Sequence, residues 1–146
     1  MRRLFVFISL FLFVGTAMAD NWIVKSSPHS VEKTVSQLTA AIEGAGAKVF
    51  GVVDHAAGAS SVGAELVPST LVIFGNPKIG TPIMQNNIRA GLDLPLRVLV
   101  FEEARETKIG YLDPDALKAR YDIEGVDEVF AKVTGALNKL TDAAAK

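Results

Sequence analysis

Three observations predict an α+β domain with a largely antiparallel sheet. Strand-like apolar runs cluster between two amphipathic helical stretches instead of alternating with them. Two of those runs, Leu71–Phe74 and Val98–Phe101, are apolar at every position and so want cover on both faces. A stripe of Val126, Val129, Phe130, Val133, Leu137 and Leu140 closes the chain as a long helix that packs on the sheet.

The elements follow in order. Asn21–Ser26, with Trp22, Ile23 and Val24, reads as the first strand. Ser27-Pro28 offers a cap and a first-turn proline for a helix whose stripe is Val31, Val35, Leu38 and Ile42, and Gly44 and Gly46 stop it. Lys48–Asp54 is a second strand, and the small residues of His55–Gly63 make a loop or a short helix. Thr70–Phe74 is a third strand, cut off by Gly75-Asn76-Pro77. Thr81-Pro82 then reads as the start of a short inserted helix. Leu96–Phe101 and Lys108–Leu112 form a hairpin across the charged turn 102–107, and Asp113-Pro114 starts another helix. The resulting order is strand, helix, four strands with a short insertion, helix.

At 146 residues the chain holds one ordinary domain. Fifteen basic residues against 16 acidic ones leave no basic surplus for nucleic acid. The absence of cysteine excludes disulfides, thiolate metal sites and cysteine nucleophiles.

The first nineteen residues differ from the rest. Arg2 and Arg3 precede an apolar run, Leu4–Val14, broken only by Ser9, and Ala17-Met18-Ala19 follows. That is the layout of a cleaved secretory signal peptide, and at ~1.5 Å per residue the run covers about half of a ~30 Å hydrocarbon core. We therefore expect a signal peptide at 1–19 and a single exported domain at 20–146, periplasmic or secreted, with no membrane span after cleavage. Without Arg2 and Arg3 the domain has 13 basic and 16 acidic residues, net −3.

Several motifs stand out between residues 54 and 111. They are Asp54-His55-Ala56, Glu65-Leu66-Val67-Pro68-Ser69, Ile73-Phe74-Gly75-Asn76-Pro77-Lys78, Gly80-Thr81-Pro82-Ile83-Met84-Gln85 and Leu92-Asp93-Leu94-Pro95-Leu96-Arg97-Val98-Leu99-Val100, with Tyr111 and Ala119-Arg120-Tyr121 beyond. Through them the chain resembles a bacterial family, domain of unknown function 302. Phe101 stands where its members often have tryptophan, and the hairpin is more charged. The resemblance implies a TATA-binding-protein-like fold with strand–helix–four-strand–helix order, and it implies no established activity.

Seven residues are candidate ligand contacts: His55, Glu65, Asn76, Lys78, Thr81, Asp93 and Tyr111. His55 with Asp54 and Glu65 is a histidine–carboxylate grouping that could hold a divalent metal or orient a general base, or His55 could simply satisfy a local hydrogen bond. Gly75–Thr81 is no phosphate-binding loop, because no lysine precedes Thr81 and Pro77 lacks an N–H. A weak anion site at the following helix end, aided by Lys78, stays open. Arg97, a lone cation in an apolar strand, needs Asp93 or Glu102 as partner. Asp93 could instead hold the turn before Pro95. Tyr111 and Asn76 sit at strand ends, where a pocket opens. His29 reads as surface. No serine has a nucleophile-elbow context, and no dinucleotide or zinc-protease motif is present.

These residues supply contacts but no nucleophile with a matched base. The expected function is a non-catalytic, exported binding or interaction module with no cofactor and a small-molecule or anion ligand. Its pocket is expected between the turn at Gly75–Pro77, the 54–65 segment and the sheet. The alternatives are a metal protein or enzyme using His55 with Glu65, and a purely structural dimer. One helical layer covers one sheet face, so the other needs either the inserted segment 77–92 or a second subunit, and a homodimer is the expectation. Intact-mass measurement of the protein from its producing cell should show a chain beginning at Asp20, outside the membrane fraction. Retention of residues 1–19 would contradict the export reading.

Overall fold

The computed structural model describes residues 21–146, so the signal peptide expected at 1–19 lies outside the described residues. The elements are β1 (Trp22–Ser27), α1 (Val31–Gly44), β2 (Lys48–Asp54), α2 (His55–Ser61), β3 (Ser69–Gly75) and α3 (Pro77–Asn86). A 3₁₀ turn (Ile88–Leu92) then leads to β4 (Leu96–Glu103), β5 (Glu106–Leu112), α4 (Pro114–Arg120) and α5 (Asp127–Ala144). The five strands form one antiparallel sheet in the order β1-β5-β4-β3-β2, as the α+β reading requires.

Local chemistry moves two of the expected boundaries. Ser27 does not cap α1, because β1 pairs through it to Thr107 and its hydroxyl lies 2.8 Å from that of Thr34. Ser30 caps instead, its Oγ accepting from Lys33 N at 3.3 Å. His29 thus precedes the helix, and it is half-buried, not surface. Similarly α3 starts at Pro77, not Pro82, because the Asn76 Oδ1 accepts from Lys78 N at 2.9 Å and Pro77 fits the first turn. Pro82 is left inside the helix. Asp113-Pro114 starts α4 as expected.

α1, α3, α4 and α5 lie together on one face of the sheet. α1 packs on β2, β3 and β4 and against α5, burying Leu38 and Ile42 with Val72, Phe74, Val98 and Val100. α5 adds Phe130, Val133, Leu137 and Leu140, and Lys25 Nζ to Asp142 Oδ1 at 2.6 Å joins it to β1. α3 belongs to this side too. It contacts α5, Asn86 Nδ2 donates to Glu124 O at 2.6 Å, and Asn87 Nδ2 donates to Tyr121 O at 2.8 Å.

Among the described residues the other face is covered by none of these four helices. Strand alternation and register set side by side Val24, Gly110, Leu99, Leu71 and Val53, with Trp22, Leu112, Arg97 and Ile73 in the next row. Trp22 and Val24 are 48% and 49% exposed. The Trp22 ring lies over Gly110, where a Cβ would sit 2.9 Å from Cζ3, so glycine lets the indole lie flat on the sheet. The cover expected for both faces of β3 and β4 is present on one.

Asp93 ties the 3₁₀ turn to β4 and α4. Its carboxylate, 8% exposed, accepts from Arg97, from Arg120 Nη1 at 2.7 Å and from Tyr121 Oη at 2.7 Å. Arg97 therefore pairs with Asp93 and not with Glu102. Burial raises the Asp93 carboxyl, but the Tyr121 hydroxyl and the two guanidiniums together outweigh it and hold it below the usual carboxylate range. With the folded value below the unfolded one, the stabilisation is full above the unfolded value of about 3.9 and disappears as pH falls through the folded one. Asp93→Ala should cost about 2 kcal/mol in urea unfolding at neutral pH, and the difference from wild type should shrink below about pH 4. A pH-independent difference would contradict the ionic account.

Candidate functional site

The two most distinctive motif segments converge on one cleft. β3 ends at Gly75, Asn76 caps α3, and the Asn76 amide Nδ2 reaches back to Gly46 O at 3.3 Å, fixing the turn against the end of α1. On the opposite wall Leu94, Pro95 and Leu96 lead into β4. Phe50 closes one side. It sits at a register shift in β2, between Val49 opposite Phe74 and Gly51 opposite Ile73, and this irregularity brings its ring beside Gly75.

The cleft has a volume of about 310 Å³ and is walled chiefly by Phe50, Pro77, Ile79, Met84, Leu94, Pro95 and Leu96. Gly75 forms part of its floor, and a methyl group there would lie 3.4 Å from Pro95 Cβ and 3.6 Å from Phe50 Cε2. Asn76 and Thr81 supply the polar side chains, and among the described residues no charged side chain lines it. An apolar enclosure with one or two polar groups binds by removing apolar surface from water and uses the polar groups for orientation.

The expected contact residues scatter. Asn76 and Thr81 lie in the cleft. Lys78 follows on α3, exposed and outside the lining. The first-turn N–H groups of α3 are engaged within the chain: Lys78 N with Asn76 Oδ1, and Ile79 N and Gly80 N with Asn76 O at 2.9 and 3.0 Å. An anion at that end would have Lys78 and little else.

His55 and Glu65 lie elsewhere. Lys48 pairs with Gly75 at the cleft end of the sheet, whereas Asp54 pairs with Thr70 at the other, so His55 begins about 20 Å away along the strands. Asp54 spends its carboxylate on capping α2, accepting from Ala57 N at 2.9 Å. His55 is exposed, and among the described residues neither it nor Glu65 has a side-chain hydrogen bond or ion pair. Glu65 lines a separate shallow depression with Ala56, Ser60 and Val67. Among the described residues no three His, Asp or Glu side chains gather as a metal site. Asp93 is occupied by its two arginines and Tyr121. Tyr111 points into the core at 2% exposure and donates to Asn138 Oδ1 at 3.1 Å, and burial pushes its phenol up. The pocket thus opens at the Gly75–Pro77 turn, as expected, but its other wall is 94–96 and not 54–65.

The large apolar cleft residues that sequence reasoning missed include Phe50, Ile79, Met84, Leu94 and Pro95, with Leu96 beside them. All but Phe50 lie inside or beside the recognised motifs, so the motifs marked the place while their polar members drew the attention. Phe50 had no signal, because its position depends on an irregular strand pairing.

Residues 23–140 match the model of the family described as "Domain of unknown function DUF302". The fold is similar to that of an uncharacterized conserved protein DUF302 from Bacillus stearothermophilus, with a TM-score of 0.78 and 20% identity over 86% of this chain and 99% of that one. Curated relatives include the fluoride-specific ion channel FluC 1 of Brucella suis, 39% identical over 116 residues that make up 77% of this chain and 46% of that protein. FluC 1 of Brucella abortus and FluC 2 of Brucella melitensis match at the same identity over 43% of their length. The chain thus spans less than half the length of these relatives. Among the described residues no helix is long and apolar enough to cross a membrane. With its family model spanning most of the fold, from β1 into α5, the chain belongs to the DUF302 family.

Proposed function

We propose that this chain is an exported, non-catalytic binding module whose cleft takes a small apolar molecule, or the apolar end of a larger one. One observation carries the reading: the Gly75–Met84 and Leu94–Leu96 segments meet around an apolar cleft of about 310 Å³ that, among the described residues, holds no titratable side chain. Such a lining offers no acid, base or nucleophile for turnover. The signal-like pattern of residues 1–19 supports export, to the periplasm or beyond. The apolar sheet face opposite the helices supports pairing of two copies. The channel function in the relatives' names is not carried over, since more than half of each relative lies outside the match.

Straight-chain alcohols of increasing length are the test. Thermal stabilisation of the wild-type protein should grow with chain length and level off once the cleft is filled. A ligand at ten times its dissociation constant should add about 1.4 kcal/mol. Thr81→Phe, which puts a ring in the cleft mouth, should abolish the effect, and His55→Gln and Glu65→Gln should leave it intact. Stabilisation by divalent metal that disappears in both His55→Gln and Glu65→Gln would instead establish the metal-binding alternative.

A further inference from the structure

We infer that the uncovered sheet face is the surface on which a second copy of this chain docks, with the strands of the two sheets antiparallel across the interface. This deepens the reading of the chain as a paired module and rests on it. The face runs across neighbouring strands. Val24, Leu99 and Leu71 form its middle, Phe101 and Ile73 flank them, and Trp22 lies flat over Gly110 at one margin. Five strands at about 4.8 Å spacing, and a run of about 20 Å along β4, give roughly 500 Å² per copy. Two copies bury about 1,000 Å², the size at which a specific interface begins. Sheets meet in this way about 10 Å apart with their strands nearly aligned.

The charges choose the occupant and its direction. Along β4 the face runs from Arg97, bonded to Asp93 on one side yet with its side chain 45% exposed, through Leu99 and Phe101 to Glu103, and Glu103 pairs with Glu106 of β5. Lys108 lies beside them but is only 19% exposed and bonded to Glu106 at 2.5 Å, so among the described residues Glu103 at the acidic end has no ion-pair partner. A two-fold axis lying across the strands brings Arg97 of one copy over Glu103 of the other and Leu99 over Phe101. An axis along the strands would set the acidic ends against each other, which is unfavourable. The acidic end equally disfavours an anionic lipid surface. A second copy satisfies apolar face and charge together, and such self-complementarity is what a two-fold interface requires.

Sedimentation equilibrium of the chain lacking residues 1–19, across about 1–100 μM, tests this. The wild type should be a dimer. Leu99→Glu and Val24→Glu should be folded monomers by circular dichroism, and Leu92→Glu, a change at an exposed residue off the face, should stay dimeric. Glu103→Arg, which sets cation against Arg97, should raise the dissociation constant at least tenfold. A wild type monomeric throughout would overturn the pairing and the interface together. A dimer untouched by Leu99→Glu and Val24→Glu would overturn the interface and leave the pairing standing. A dimer broken by those two but unmoved by Glu103→Arg would overturn the antiparallel placement.

Discussion

A sheet whose central strands are apolar on both faces must be covered twice, and this chain provides one helical layer. The imbalance governs the molecule. α1 and α5 fill one side, and the insertion between β3 and β4 joins them there, tied to the Tyr121–Glu124 loop by Asn86 and Asn87. α4 packs on α5 on that same side. Trp22, Val24, Leu71, Leu99 and Phe101 are left half-buried on the opposite face, short of the about 1.5–3 kcal/mol that full burial of a large side chain gives. Natural sheets rarely leave that unused.

The cleft follows from the same architecture. The chain leaves the sheet after Gly75 and returns to it at Pro95, and the two turns face each other across the end of β3 and β4. Asn76 and Asp93 anchor the two sides. Asn76 caps α3 and grips the end of α1, and Asp93 draws Arg97, Arg120 and Tyr121 together behind the second turn. Both are polar residues that hold walls in place, while the walls themselves are apolar. Stability and site are thus built from the same two motif segments.

Strand positions, the antiparallel class and the terminal helix were legible because period-two and period-3.6 patterns are strong in this sequence. Boundaries were less so where two starts compete. Ser27-Pro28 and Thr81-Pro82 have the chemistry of helix starts, but Ser27 belongs to β1 and Asn76-Pro77 begins α3 five residues before Pro82. A local pattern cannot rank such rivals, because pairing with Thr107 and the hold on Gly46 are contacts distant in sequence. The site was legible as a place and not as a residue set. Polar motif members were singled out for their chemistry, yet His55 and Glu65 lie at the far end of the sheet, and Phe50 enters the cleft through an irregular pairing that no periodicity announces.

The chain contains a single tryptophan, and it lies on the uncovered face. Trp22 fluorescence therefore reports directly on whether that face is covered in solution. Its emission maximum and its quenching by acrylamide should be followed as the protein without residues 1–19 is diluted. If the second face is completed by association, emission shifts to longer wavelength and quenching rises together as the protein is diluted. Emission and quenching that stay constant at the values of a half-exposed indole at every concentration would contradict it.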